Sequence, residues 1–489
     1  MYLSRIKTLE DAVIRLRRKS NAKLAIFRIP SEILSEIFLY CTCGGLTSKS
    51  LYADRTFNFL HVCWYWKIVA YETPHLWSTW PGGYIDSWPI LHARSKNVPL
   101  DIHLRKRPTD PVALVPILSN PETFRRLRSF DFNGHATWFE QFLEYFVVHK
   151  HENVPNLENL RIDISCMGAM SGYETFERIS RFLSSSFPKL RTLEIVNLGI
   201  DWSSSFPSLS SITELTIKNP LNVNCPKLVQ LLSLIQSNPQ ISKLILEDGA
   251  LPQPDDAGEE RGFFGLSDLR SLQLSGGLLP VMGLLDHLRL PPELQYTSIT
   301  VDATGYSNEA ILPRIKPLLH SYYLFEDREE RRIDGLRLSL DDLQTTLLTV
   351  ATTPNALVVP EPTLSQIPRS PMNLHIQTYQ DKRSLSMEVF QFLPLENLRD
   401  LSLENLEFTD QQCKLLFDKV RRVEELCLAG SSGPGAIAAL ELPSLLGSDD
   451  QTGKGKGKAA ETPAGSKKKK GRGRGGRGDL QVICGEHAV

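Results

Sequence analysis

A six-residue element, apolar at its first, fourth and sixth positions, recurs between residues 127 and 428 and limits what this chain can fold into. It occurs as Leu127-x-x-Phe130-x-Phe132, Leu157-x-x-Leu160-x-Ile162, Leu190-x-x-Leu193-x-Ile195, Ile212-x-x-Leu215-x-Ile217, Ile241-x-x-Leu244-x-Leu246 and Leu269-x-x-Leu272-x-Leu274, then again as Leu398-x-x-Leu401-x-Leu403 and Val423-x-x-Leu426-x-Leu428. Central anchors of the first six copies stand 30, 33, 22, 29 and 28 residues apart, and those of the last two 25. Such alternation marks a half-buried strand. Between copies the period turns helical. Leu228, Leu231, Leu232 and Ile235 share one face before Asn238-Pro239, Phe139, Phe142, Leu143 and Phe146 do so within 137–150, and Thr409-Asp410 opens a helix with Leu415, Leu416 and Val420 inward. Units of this kind bury their apolar faces only by stacking on one another. The predicted class is therefore α/β, an irregular solenoid over 98–430 with parallel strands concave and helices convex. Val98–Leu104 alternates as a leading strand. Residues 280–395 are the least regular, with strand candidates at 336–340 and 374–376 and a loop at Pro360–Pro371.

The unit resembles a leucine-rich repeat. If the anchors are buried, the residues beside them face outward. These include Arg161, Asp163, Glu194, Glu214, Thr216, Lys243, Glu247, Gln273, Ser402 and Glu404. The set is mixed in sign with an acidic excess, which suits a surface for a protein target; a generic solvated strand face is the alternative for each residue.

Ahead of the repeats lies a short helical region. Leu3, Ile6, Leu9, Val13 and Leu16 step by threes and fours, so residues 1–25 are expected to hold an amphipathic helix, basic at its end through Arg15, Arg17, Arg18 and Lys19. Ile29-Pro30-Ser31-Glu32 then starts a second helix, Pro30 fitting the first turn, with Ile33, Leu34, Ile37 and Phe38 as its apolar side. A third helix is expected from about Thr56 to Glu72, burying Leu60, Cys63, Trp64 and Ala70, with Leu76-Trp77 folding back as a plug.

Taken in order, Ile29-Pro30-x-Glu32-Ile33-Leu34-x-x-Ile37-Phe38, Val62-Cys63-x-x-Trp66-x-Ile68-Val69-Ala70 and Leu76-Trp77 resemble an F-box, and more specifically the F-box-like proteins abundant in fungi. The resemblance covers residues 26–80. It implies docking on the Skp-type adaptor of a cullin–RING (SCF) ubiquitin ligase, with Ile29, Pro30, Ile33, Leu34, Ile37, Val62, Cys63, Trp66 and Trp77 facing the adaptor. The repeats would then hold the target, and the chain would carry no catalytic residue, no cofactor and no metal. Ile29 in place of the commoner Leu, Ser31, and the long loop from Cys41 to Phe57 depart from the family pattern.

Net charge is −1, but residues 451–478 carry +9, leaving an acidic body of −10. The run Lys467, Lys468, Lys469, Lys470, Arg472, Arg474 and Arg477 sits in a Gly-rich setting poor in apolar residues, so 431–489 is expected to be a disordered tail. It suits a nuclear signal or weak RNA and polyanion binding; with no aromatic residue interleaved, base stacking is not its mode. A nuclear repeat scaffold binding RNA through this tail is the rival reading. Eight scattered cysteines predict reduced thiols and a nuclear or cytoplasmic location. No window approaches the ~18 apolar residues of a membrane span. Cys41-x-Cys43 and His61-x-Cys63 lack zinc-finger spacing, Gly447–Lys454 fails as a phosphate loop, and no nucleophile motif occurs.

Overall fold

The computed structural model describes residues 2–21, 23–43, 58–81, 88–104, 120–135, 138–140, 143, 154–166, 182, 187–200, 202, 209–218, 225–252, 264–291, 294–323, 335–340, 345–351, 372–377, 387–391, 393, 395, 398–404, 408–429 and 481–485. It is a mixed α/β protein with extensive parallel sheet, divided into two units, residues 1–212 and 213–489. No helix among the described residues is long and apolar enough to cross a membrane.

The first unit opens with helix α1 (Tyr2–Asn21), a 3₁₀ turn at Ala25–Arg28, and α2 (Ser31–Cys43). Pro30 immediately precedes α2, and its carbonyl accepts the first helical bond from Leu34 N at 3.0 Å. The helix expected over 56–72 is split. A 3₁₀ turn spans Asn58–His61 and α3 runs Trp64–Glu72. The break is at Cys63, which is extended (φ −164°, ψ 168°) and caps α3 by accepting from Trp66 N through Sγ. Ala70 is buried as expected and Val69 joins it, while Leu60 and Cys63 are half-buried and Trp64, now the first residue of α3, is exposed. Phe59 stacks on Phe38 of α2 (centroids 4.4 Å, planes 11° apart).

A 3₁₀ turn at Pro74–Trp77 then leads into β1 (Thr79–Pro81), which pairs in parallel with β2 (Leu100–Leu104). Trp77 Nε1 donates to Ala70 O at 2.8 Å, and Trp80 Nε1 to Trp77 O at 2.9 Å. Trp88, in α4 (Trp88–Ser95), lies 5.2 Å from Trp80. Within this unit the helical region and the first strand thus share one aromatic core.

Helix α5 (Pro121–Arg126) is capped by Asn120 and carries Pro at its first position, as expected of a short helix start. Strands β3 (Leu127–His135), β4 (Asn159–Cys166) and β5 (Thr192–Val196) follow β2 in parallel order. Their anchors lie in register, Phe130 with Leu160 and Leu193, Phe132 with Ile162 and Ile195, and all are buried. Gly134 has no room for a Cβ, which would meet the Trp138 ring at 2.7 Å. The helix expected over 137–150 lies mostly outside the described residues, though Phe139 and Leu143 are buried.

The second unit continues the same construction. Strands β6 (Glu214–Lys218), β7 (Lys243–Glu247), a short β8 (Phe264–Gly265), β9 (Ser271–Gly277), a short β10 (Leu288–Arg289) and β11 (Tyr296–Asp302) alternate with α6 (Leu228–Ser237), α7 (Leu278–Leu285) and α8 (Asn308–Tyr323). Strands β6, β7, β9 and β11 are adjacent and parallel, while β8 and β10 pair separately. Strands β7, β9 and β11 are each preceded by the same turn, the first anchor's N–H bonding three residues back: Ile241 N to Asn238 O (3.2 Å), Leu269 N to Leu266 O (3.3 Å), Leu294 N to Pro291 O (3.3 Å).

The sheet then departs from all-parallel order. Beyond β11 come β14 (Met372–Gln377), β13 (Thr345–Ala351) and β12 (Gly335–Leu340), with β13 antiparallel to both neighbours. The two expected strands in this region form, and β13 was not foreseen. A four-residue link between β12 and β13 permits only an antiparallel pair, since parallel neighbours need a crossover of roughly a dozen residues. The loop at Pro360–Pro371 lies outside the described residues.

Strands β15 (Asp400–Glu404) and β16 (Glu425–Ala429) return to parallel pairing, bridged by α9 (Asp410–Lys419). Thr409 and Gln412 form a capping box at its start. Its inner side is Cys413, Leu416, Phe417 and Val420; Leu415 is exposed, contrary to expectation. The expectation of one disordered tail over 431–489 gives way at its end, where β17 (Gln481–Gly485) pairs in parallel with β16. Its Val482-Ile483 pair suits a strand.

Candidate functional site

Two surfaces collect the residues picked out from the sequence. The first is the helical region of the N-terminal unit. Helix α2 has two apolar sides with different fates. Leu34 and Phe38 point inward, at 0 and 1% exposure, where Phe38 also meets Trp66 edge-on at 5.2 Å. Ile33 and Ile37, one turn apart, remain 49 and 41% exposed. Pro30 and Val62 are exposed as well, and Ile29 and Cys63 are half-buried. Ile29 is held by its carbonyl, which accepts from Tyr65 Oη at 3.1 Å.

Two of the nine residues expected to face a partner do not reach the surface. Leu34 is wholly enclosed, because its position on α2 meets α3 and the turn before β1. Trp77 is buried, its indole N–H used by Ala70 O. Trp66 is half-buried, with its indole nitrogen enclosed and without a hydrogen-bond acceptor.

The second surface is the strand face between anchors. In the first unit, register places His103, Asp131, Arg161 and Glu194 in one row across β2, β3, β4 and β5. Asp131 is buried and meets His103 Nδ1 at 3.3 Å. Arg161 stands 3.4 Å from Glu194, 3.8 Å from Asp163 and 3.9 Å from Asp131. One guanidinium thus serves three carboxylates. Asn133 Nδ2 donates to Asp163 at 2.8 Å, and Arg128 makes a forked pair with Asp101. Arg161, Asp163 and Glu194 were picked out from sequence; His103 and Asp131 were not. Asp131 occupies the same inter-anchor position as Arg161 and was legible by the same rule.

In the second unit the predicted residues are less unified. Lys243 faces Glu214 at 3.9 Å, and Gln273 Nε2 donates to Glu247, which also pairs with Lys218 at 2.8 Å. Ser402 is half-buried on β15. Thr216 is not a surface residue. It is buried together with its register partner Ile245, so the face between anchors is itself closed over at this point.

At the end of β7, burial raises the Asp248 pKa, with Glu247 and then Asp302 adding to the effect. Among the described residues no group of three or more His, Cys, Asp or Glu side chains is arranged to hold a metal ion. Lys467, Lys468, Lys469, Lys470, Arg472, Arg474 and Arg477 lie outside the described residues.

Neither the search of protein-family models nor the search of curated proteins finds a match to this chain.

Proposed function

We propose that this chain is a substrate receptor of an SCF-type ubiquitin ligase, an F-box-like region docking on the Skp-type adaptor and a leucine-rich-repeat-like body binding the target protein. The observation that carries the reading is the division of α2, packed through Leu34 and Phe38 and greasy outside through Ile33 and Ile37. Exposed apolar side chains on a well-packed helix favour a protein partner over solvent. The adaptor contacts in this reading are Pro30, Ile33, Ile37 and Val62, with Leu34 and Trp77 shaping the surface from below. The strand row around Arg161 supplies a polar face suited to a protein target, and ubiquitin transfer is left to the ligase's other subunits, which the receptor serves by proximity.

The test is co-purification of the full chain with a Skp-type adaptor. Ile33→Asp with Ile37→Asp is expected to abolish retention while thermal unfolding stays unchanged. Ile90→Asp, at an exposed apolar residue of α4, is expected to retain the adaptor. A wild-type chain that never retains the adaptor sinks the reading.

A further inference from the structure

Helix α1 presents an apolar seam that its own unit leaves uncovered. Ile6, Leu9, Val13 and Leu16 are 51, 67, 47 and 67% exposed. The helix touches its unit near its end, where Arg18 sits over the Trp64 ring at 4.8 Å. A helix of this length is marginal in water without a packed face.

The steps from Tyr2 to Ile6, Leu9, Val13 and Leu16 are four, three, four and three. These steps fit the a and d positions of a coiled-coil heptad, with Leu3 and Ile14 flanking the seam. With Ile6 and Val13 at the a positions, Leu9 and Leu16 fall at d. β-Branched residues at a with Leu at d favour two parallel strands. In that arrangement Arg5 at g faces Glu10 at e of the other helix, on both sides of the seam. The next such pair, Ala12 with Arg17, brings no like charges together. An antiparallel pairing would instead set Glu10 against Glu10 and Arg5 near Lys19.

We propose that α1 is a self-association element, and that its seam is covered by α1 of a second copy of this chain in a parallel two-stranded coiled coil. The inference is independent of the ubiquitin-ligase reading. The seam from Tyr2 to Leu16 covers 15 residues, about two heptads, short for a coiled coil, so the dimer is weak and forms and dissociates with concentration.

Sedimentation velocity of the full chain tests this, from low-micromolar to several-hundred-micromolar protein. Wild type is expected to pass from monomer to dimer mass. Leu9→Glu with Leu16→Glu is expected to stay monomeric throughout with unchanged thermal unfolding, since both side chains are exposed in the monomer. Arg5→Glu turns two attractions into repulsions and is expected to weaken dimerisation by about tenfold, and Arg5→Glu combined with Glu10→Arg to restore it. Ile6→Cys is expected to give a disulfide-linked dimer under mild oxidation beyond any formed by wild type, because only the parallel register brings the two introduced thiols together. A wild-type chain that stays monomeric overturns the proposal. So does a dimer that survives Leu9→Glu with Leu16→Glu, or an Ile6→Cys chain that does not cross-link.

Discussion

Arg94 sits over the Tyr71 ring, with its Cζ 3.7 Å from the centroid and 4.5 Å from that of Trp77. One cation thereby ties α4 to α3 and to the turn that leads into the first strand. Arg94→Ala is expected to lower the unfolding free energy by about 1–2 kcal/mol. Arg94→Lys should recover less than half of that, because a compact ammonium does not stack. Guanidinium titration followed by tryptophan fluorescence measures both, and an Arg94→Ala chain as stable as wild type would contradict the assignment.

His92 makes the same region sensitive to acid. Burial lowers its pKa from 6.5, and the Arg126 guanidinium lowers it further, against a smaller opposing effect of Glu122. Arg126 is itself enclosed, donating to Val98 O at 3.1 Å and Ser95 Oγ at 2.6 Å. The folded pKa lies below the unfolded one, so the unfolded chain binds the extra proton. Stability is complete above pH 6.5 and falls as pH drops from there through the folded value. Urea unfolding between pH of about 7.5 and about 5 should show this slope, and His92→Leu should flatten it.

Burial separates neighbouring residues of α2. Leu34→Ala is expected to cost about 2–4 kcal/mol, since it empties an enclosed site. Ile33→Ala should change stability by less than about 0.5 kcal/mol. Leu34→Asp unfolds the region and cannot report on docking, which the exposed-residue variants can. Thermal unfolding of the three variants decides, and equal losses at positions 33 and 34 would refute the two-sided description.

Removing Arg161 leaves Asp131, Asp163 and Glu194 without their shared cation. Arg161→Met is expected to lose about 1–2 kcal/mol at neutral pH, a modest figure for a pair partly open to solvent. Part of that loss should disappear at high salt, which screens the ion pairs of the wild type. A variant whose deficit is constant with salt would show that packing by the arginine stem, not charge, is what matters.

Much of the sheet was legible because its anchors are large and apolar. Phe130, Leu160, Leu193, Leu215, Leu244 and Leu272 announce buried strand centres, and each lies in one. Strand β11 escaped because its central anchor is Thr297. It lies opposite Leu272 and is fully buried, yet its hydroxyl breaks the apolar signature that Leu294 and Ile299 complete. The outward rule failed at Thr216 because alternation gives the side of a strand but not whether that side is covered, and here Ile245 opposite is buried too. Helix faces were offset where a start was misplaced: Cys63 takes extended backbone, and Trp64 turned outward as a result. The row from His103 to Glu194 needed strand register, which spacing alone does not fix.

The pairing of β17 with β16 changes what the basic run is topologically. In sequence 51 residues, 430–480, separate Ala429 from Gln481, yet the strands that end and begin there are neighbours in the sheet. The lysines and arginines of 467–477 therefore precede the last strand in the chain instead of following it. A chain cut once between Ala429 and Gln481 would run as two fragments on a denaturing gel, while in the native protein the backbone hydrogen bonds between β16 and β17 join the two pieces.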